Sequence, residues 1–117
     1  KIASLSGSHV FNACGKLSVH KSADAIRQSL KVITHDTGMM HIAAAFNKPM
    51  ASIWGNTIPE FGMYPYMPAN PDRYKIFEVK GLKCRPCSKL GYRQCPKKHF
   101  YCMNLQETDL IADWANS

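Results

Sequence analysis

The stretch Val32-Ile33-Thr34-His35-Asp36-Thr37-Gly38-Met39-Met40-His41 holds the residue types best suited to chemistry. A β-branched run gives way, through a short polar turn, to an Ala-rich helical pattern. In open α/β sheets ligands bind at such junctions, because helix N-termini aim free N–H groups outward beside the carboxyl ends of strands. The N–H groups from Thr37 to Met40 can hold a phosphate, and Gly38 lets a ligand come close to the backbone. Asp36 would repel a phosphate, so sugar hydroxyls or an N–H donor suit it better. His41 lies four residues past Thr37, one turn down on the same side. A purely structural reading competes. Asp36 or Thr37 caps the helix, worth ~1 kcal/mol, His41 is a half-buried helix residue, and Met39 and Met40 belong to the core. A metal site from His35, Asp36 and His41 is a poorer reading, since adjacent strand residues point to opposite faces.

A second constellation is Cys84-x2-Cys87-x7-Cys95-x6-Cys102. A C-x2-C pair brings two thiolates to one ion, which suits tetrahedral zinc, although the second pair is too widely spaced for a standard zinc ribbon. The competing reading is a set of reduced packing thiols. Cys14 falls in an expected strand and reads as core. With five cysteines and no signal peptide at the start of the sequence, a disulfide framework is not expected.

Charge singles out the same region. Arg73 to His99 contains nine Lys/Arg against the single acid Glu78, a net +8, while the whole chain of 117 residues carries +7. A clustered basic segment favours anionic partners, or is simply a solvated face. The 45% apolar content and twelve Tyr, Phe and Trp residues argue against disorder, and no apolar run approaches the ~20 residues of a membrane span. The sequence has no initiator Met and reads as starting inside a longer polypeptide.

The elements that must position these residues follow from periodicity. His9–Cys14 reads as a strand followed by a turn at Gly15. Ser18 is an N-cap, and Val19, Ala23, Ile26 and Leu30 share one helical face, leaving Lys21, Asp24, Arg27 and Gln28 for solvent. Residues 31–35 read as a buried strand, 39–46 as a helix stopped by Pro49, and 50–54 as a strand ending at Gly55. The order is β-α-β-α-β, which predicts an α/β fold with a parallel sheet and flanking helices. Residues 56–72 form a Pro-rich loop whose Phe61, Tyr64 and Tyr66 overlook the cleft or pack within the loop. Gly55, Asn56 and Thr57 begin that loop and are candidate cleft residues. Residues 74–79 read as a strand, and Asn104 with Glu107 as a capping box for a last helix through Leu105, Leu110, Ile111 and Trp114.

These motifs resemble the lipopolysaccharide heptosyltransferases, glycosyltransferase family 9. In that family a strand runs into D-[TS]-G-x-x-H and an Ala-rich helix, as at Asp36-Thr37-Gly38-x-x-His41. Asn12-Ala13-Cys14-Gly15-Lys16-Leu17-Ser18 resembles its N-L-x-G-K-[TL]-S segment. Lys48-Pro49 followed by Ser52-Ile53-Trp54-Gly55-Asn56-Thr57-Ile58-Pro59 is similar to its K-P and G-x-T-x-P continuation, and the Cys-rich tail is similar as well.

The resemblance implies a GT-B enzyme with two Rossmann-like domains, of which 1–117 is a partial domain: the second half of the C-terminal, nucleotide-sugar-binding domain. Residues 80–103 are a Cys/Lys-rich loop segment within it. It further implies a nucleoside diphosphate sugar, ADP-heptose, bound by Asp36, Thr37, Gly38, Met39 and His41. The acceptor would be the lipopolysaccharide core or another glycolipid, and the catalytic base would lie on the absent N-terminal domain, so this chain alone would be inactive. No cofactor would be needed for catalysis, a structural zinc at Cys84, Cys87, Cys95 and Cys102 being a separate matter. The location would be cytoplasmic, peripheral to the inner membrane, with the basic segment against anionic lipid and no nucleic acid bound. Two other readings stand beside it. One is a non-enzymatic, zinc-binding basic module for nucleic acid, which gives Asp36-Thr37-Gly38-x-x-His41 no task. The other is a nucleotide-sugar binding domain that has lost activity.

Overall fold

A computed structural model describes all residues, Lys1–Ser117. Helix α1 is a single turn, Ile2–Leu5, and α2 spans Val19–Gln28. Strand β1 (Val32–His35) is followed by α3 (Gly38–Ala45) and β2 (Met50–Trp54). After two 3₁₀ turns, at Pro59–Phe61 and Pro71–Arg73, come β3 (Tyr74–Glu78), the short α4 (Tyr101–Asn104) and α5 (Thr108–Asn116). The strands form one parallel sheet in the order β1-β2-β3. Val32 pairs with Met50, which in turn pairs with Tyr74. No helix is long and apolar enough to cross a membrane.

Central β2 is covered on both faces, which is why its sequence Met-Ala-Ser-Ile-Trp shows no polar alternation. On one face α3 contributes Met40, Ala43 and Ala44, packed with Met50, Trp54 and Met67, while Ile26 of α2 seals the edge. On the other, Ile111 and Trp114 of α5 meet Ala51, Ile53 and Phe77. Alanines at 43 and 44 let α3 lie close to the sheet. Lys31 Nζ donates to the Trp114 and Ala115 carbonyls, at 2.9 and 3.2 Å, and so holds the last turn of α5. One polar chain threads the first core. Trp54 Nε1 donates to Ser52 Oγ at 2.8 Å, and Ser52 Oγ donates to Met40 Sδ at 3.1 Å, with all three residues fully buried.

Several expectations change. His9–Cys14 is not a strand: the Asn12 carboxamide accepts from Cys14 N at 3.0 Å, and this local turn diverts the backbone from any ladder. Gly15, at φ 70°, makes the expected turn, but Cys14 is exposed rather than core. The order therefore opens α-α-β-α-β, not with a strand. Helix α2 has its Ser18 cap, which accepts from Lys21 N. It stops at Gln28, however, so Leu30 lies beyond it and is 90% exposed, and Val19 also faces solvent. Asp24, Arg27 and Gln28 are exposed as expected, and the hydrogen bond from Arg27 holds the Asp24 carboxyl below its usual range. The capping box at Asn104 does not form: Asn104 ends α4 and donates to the His99 carbonyl, while α5 starts after Glu107 with no side-chain cap.

Replacing Ser52 by Ala should leave the Trp54 indole N–H buried without an acceptor. A loss of about 1–3 kcal/mol in urea unfolding is expected, and an unchanged midpoint would show that the indole finds another partner.

Candidate functional site at the carboxyl ends of the strands

Asp36 leaves β1 just as Gly55 leaves β2, so the parallel register sets the two loops side by side. There Thr57, 3% exposed, donates from Oγ1 to Asp36 Oδ2 at 2.5 Å. Asp36 is thus committed to the neighbouring loop rather than to capping α3. Thr37 stands at the N-cap position with extended backbone but makes no side-chain cap bond. Its hydroxyl lies 3.4 Å from that of Thr34 instead. The first N–H groups of α3, at Gly38 and Met39, have no preceding turn to bond, and no protein side chain caps the helix. A Cβ built on Gly38 meets nothing within 4 Å, so packing does not demand glycine there.

The sequence reading missed the opposite wall. A cavity of about 300 Å³ is bounded by His35, Asp36, Gly55 and Asn56 on the strand side, and by Tyr92, Arg93, Phe100 and Met103 on the other. Gly38, Met39 and His41 lie outside it: His41 is exposed on α3 and Met39 is half-buried. The Cys/Lys-rich segment folds over the strand ends through several contacts. Asn56 Nδ2 donates to the Tyr92 carbonyl at 2.8 Å, and Cys87 N donates to the Asn56 carbonyl at 2.9 Å. Gly91 sits against Asn56 so closely that a Cβ would come within 2.5 Å of its Oδ1, and its φ of 77° also favours glycine. At Gly55 a Cβ would press on Met103 Sδ at 2.9 Å.

Arg85 is the anchor of this arrangement. Its guanidinium donates to the Gly55 carbonyl at 2.6 Å, the Thr57 carbonyl at 2.9 Å and Glu78 Oε2 at 2.7 Å, and both charged side chains are at least nine-tenths buried. One of the nine cations in the basic segment is therefore structural.

The cysteines gather beyond this wall. Cys84, Cys87 and Cys95 line a second cavity of about 430 Å³. No three His, Cys, Asp or Glu side chains of the protein stand at metal-ligand distances from a common point. The Phe100 N–H donates to Cys95 Sγ at 3.4 Å and, with other loop N–H groups, lowers that thiol's pKa. Burial, then the neighbouring thiols, raise Cys87 and Cys102. The loop aromatics Phe61, Tyr64 and Tyr66 are exposed, whereas Pro59, Pro65 and Met67 are buried, so the loop packs by its prolines and methionine.

Residues 1–99 match the family model for glycosyltransferase family 9 (heptosyltransferase). The chain belongs to that family. Lipooligosaccharide heptosyltransferase 2 of Haemophilus influenzae is 40% identical over 83 residues, which is 68% of this chain and 22% of that protein. The protein of the same name from Campylobacter jejuni is 26% identical over 108 residues, 92% of this chain and 31% of the relative. Lipopolysaccharide heptosyltransferase 2 of Escherichia coli is 32% identical over 50 residues, 43% of this chain and 14% of its own length. The chain thus spans under a third of each of these relatives. No solved structure matches it.

Removing the Arg85 charge strands Glu78, so Arg85→Met should cost about 3–5 kcal/mol in chemical denaturation. Adding Glu78→Gln should recover part of that loss, and no recovery would mean that the carbonyl contacts dominate. In reduced, chelator-treated protein, Cys95 should alkylate at lower pH than Cys87 or Cys102, since the thiolate is the nucleophile and its pKa alone is depressed. Peptide mass spectrometry gives the order, and Cys87 reacting first would contradict the arrangement of N–H donors around Cys95.

Proposed function

We propose that this chain supplies the nucleotide-sugar-binding part of a GT-B glycosyltransferase that moves heptose from ADP-heptose to a lipopolysaccharide-core acceptor. The observation that carries the reading is the Asp36–Thr57 hydrogen bond beside the uncapped N-terminus of α3, in a chain of the heptosyltransferase family. The bond fixes one carboxylate oxygen and leaves the other free to accept from a sugar hydroxyl. The N–H groups of Gly38 and Met39 would serve the diphosphate, helped by the partial positive charge of the helix terminus. Arg93, on the opposite wall of the cavity, adds a full charge. His41, one turn along α3, would meet the part of the donor lying outside that cavity.

Transfer needs no covalent enzyme intermediate. A base on a part of the enzyme outside this chain takes the proton of the acceptor hydroxyl. The acceptor oxygen bonds to the anomeric carbon as the C–O bond to the diphosphate breaks, and the electron pair leaves on the diphosphate. The helix N–H groups and Arg93 stabilise that developing charge, the office a metal fills in other transferases. The enzyme would act at the cytoplasmic face of the inner membrane, where exposed Lys80, Lys83, Lys89, Lys97 and Lys98 meet acceptor or lipid phosphates.

The test is a backbone amide titration of the intact polypeptide with ADP-heptose, with UDP-glucose and a short oligonucleotide as controls. Shifts at 36–42 and 55–57 that appear only with the ADP-sugar are expected. Shifts confined to 73–99, produced by the oligonucleotide alone, would instead favour a nucleic-acid module. Asp36→Ala should lower kcat/KM by roughly 10- to 150-fold, the loss of a charged hydrogen bond of about 1.5–3 kcal/mol. Gly38→Ala separates fold from function. It should hold or raise stability by up to ~1 kcal/mol, because its Cβ meets only open space, yet weaken donor binding. Unchanged donor affinity in that variant would remove Gly38 from the site.

A further inference from the structure

Four cysteines gather in the segment that walls the cleft, and glycosyl transfer gives them nothing to do. Cys84, Cys87 and Cys95 open onto one cavity with Lys83, Tyr92 and Lys97. Cys102 is 7% exposed in α4, three residues beyond His99. Three features of their surroundings are those of a metal–thiolate centre rather than of packing thiols.

The first is a directed backbone. Phe100 N–H donates to Cys95 Sγ at 3.4 Å, from a loop in which Lys98 and Phe100 both take left-handed conformations, at φ 60° and 53°. Non-glycine residues adopt that region at a cost in free energy, and such positions cluster where geometry serves a site.

The second is the imidazole of His99. Its Nδ1 accepts from Tyr101 N–H at 3.1 Å, and its Nε2 lies 3.7 Å from Cys84 Sγ. A neutral imidazole has one donor and one acceptor nitrogen, so Nε2 carries the hydrogen and points it at sulfur. His99 is then a hydrogen-bond donor to a ligand, and the fourth ligand position falls to Cys102.

The third is charge. Four thiolates around a divalent ion leave two negative charges, and Lys83 and Lys97 line the same cavity. No Asp or Glu lies between Glu78 and Glu107, so the donors are thiolate and imidazole without carboxylate, which selects zinc over magnesium or calcium.

We propose that Cys84, Cys87, Cys95 and Cys102 bind one zinc ion as a tetrathiolate site, with His99 donating to the Cys84 sulfur, and that this ion fixes the Tyr92–Arg93 wall of the cleft. The thiol protons pass to solvent as the ion binds. The side chains do not yet converge on one point. Residues 81–100 contain neither helix nor strand, so the loop can draw its sulfurs inward, and ion binding and loop ordering are one process. The wall follows because Cys87 N bonds the Asn56 carbonyl and Asn56 bonds the Tyr92 carbonyl. The site stands whether or not the cleft takes a nucleotide sugar.

The whole chain, reduced and stripped by chelator, is titrated with cobalt(II) alone. Saturation at one equivalent is expected, with intense sulfur-to-cobalt charge transfer and the visible bands of a tetrahedral ion, both bleached by one equivalent of zinc. A pale octahedral spectrum, or no binding, overturns the proposal without recourse to any variant. So does iron with acid-labile sulfide in protein as purified. Cys87→Ser and Cys102→Ser should each weaken cobalt binding more than about tenfold, with circular dichroism confirming the retained sheet, while Cys14→Ser should not. His99→Ala should keep one ion and the four-thiolate spectrum. If His99→Ala loses the ion and Cys102→Ser keeps it, the ligand set is wrong.

Discussion

Parallel strands bring all their carboxyl ends to one side of the sheet, and the carbonyls there have no further strand residue to bond. Arg85 resolves this for β2 and β3 together. Its planar fork reaches Gly55 and Thr57 beyond one strand and Glu78 at the end of the other, which a lysine's single ammonium could not span. A buried ion pair adds little net stability compared with apolar packing. What it adds here is position, because the guanidinium has one place where its donors are satisfied. The neighbours of Arg85 in sequence are Cys84 and, two residues on, Cys87, so the Cys/Lys-rich segment is hung from the sheet at that point.

The site is therefore assembled from pieces distant in sequence and fastened at few places. Asp36 is tied to Thr57 across 21 residues, and Asn56 to Tyr92 across 36. Each tie ends on the short run Gly55-Asn56-Thr57, where a buried hydroxyl, a carboxamide and three backbone carbonyls serve Asp36, Tyr92, Arg85 and Cys87. Glycine at 55 makes room for Met103, and glycine at 91 makes room for Asn56. The helix that begins at Gly38 keeps its N-terminus clear because the N-cap residue, Thr37, turns its hydroxyl to Thr34 and Asp36 is bound by Thr57.

Much of the fold is legible in the sequence. Strand 50–54 has the bounds its sequence predicts, because a five-residue run with one small polar residue, Ser52, between Pro49 and Gly55 admits little else. β1, β3, α2 and α3 lie within a residue or two of expectation, and the strand-to-helix junction expected at Asp36 is present, although β1 is an edge strand with Ile33 half-exposed rather than a buried one. His9–Cys14 misled because Val10 and Phe11 give the composition of a strand, while the local bond from Cys14 to Asn12 decides the conformation. Asn104 and Glu107 had capping-box spacing, yet Asn104 was taken by the His99 carbonyl. The wall at Tyr92, Arg93, Phe100 and Met103 was not readable. Its residues follow no period, and they are placed by contacts with a loop more than thirty residues earlier. Gly91 was the one signal, and it acquires meaning only once Asn56 is seen beside it.

The link from β2 to β3 is a parallel crossover made without an α-helix. It must travel from the carboxyl end of β2 back to the amino end of β3, and right-handed crossovers advancing the same way lie on the same face. That is where Met63 and Met67 are found, in the core that α3 covers. The loop thus does the work of a helix with two 3₁₀ turns and buried Pro59 and Pro65. Its two halves have different neighbours. The first, at Thr57, is bound to the Asp36 loop, whereas the later part, approaching Pro71, lies at the opposite end of the sheet, where β3 begins.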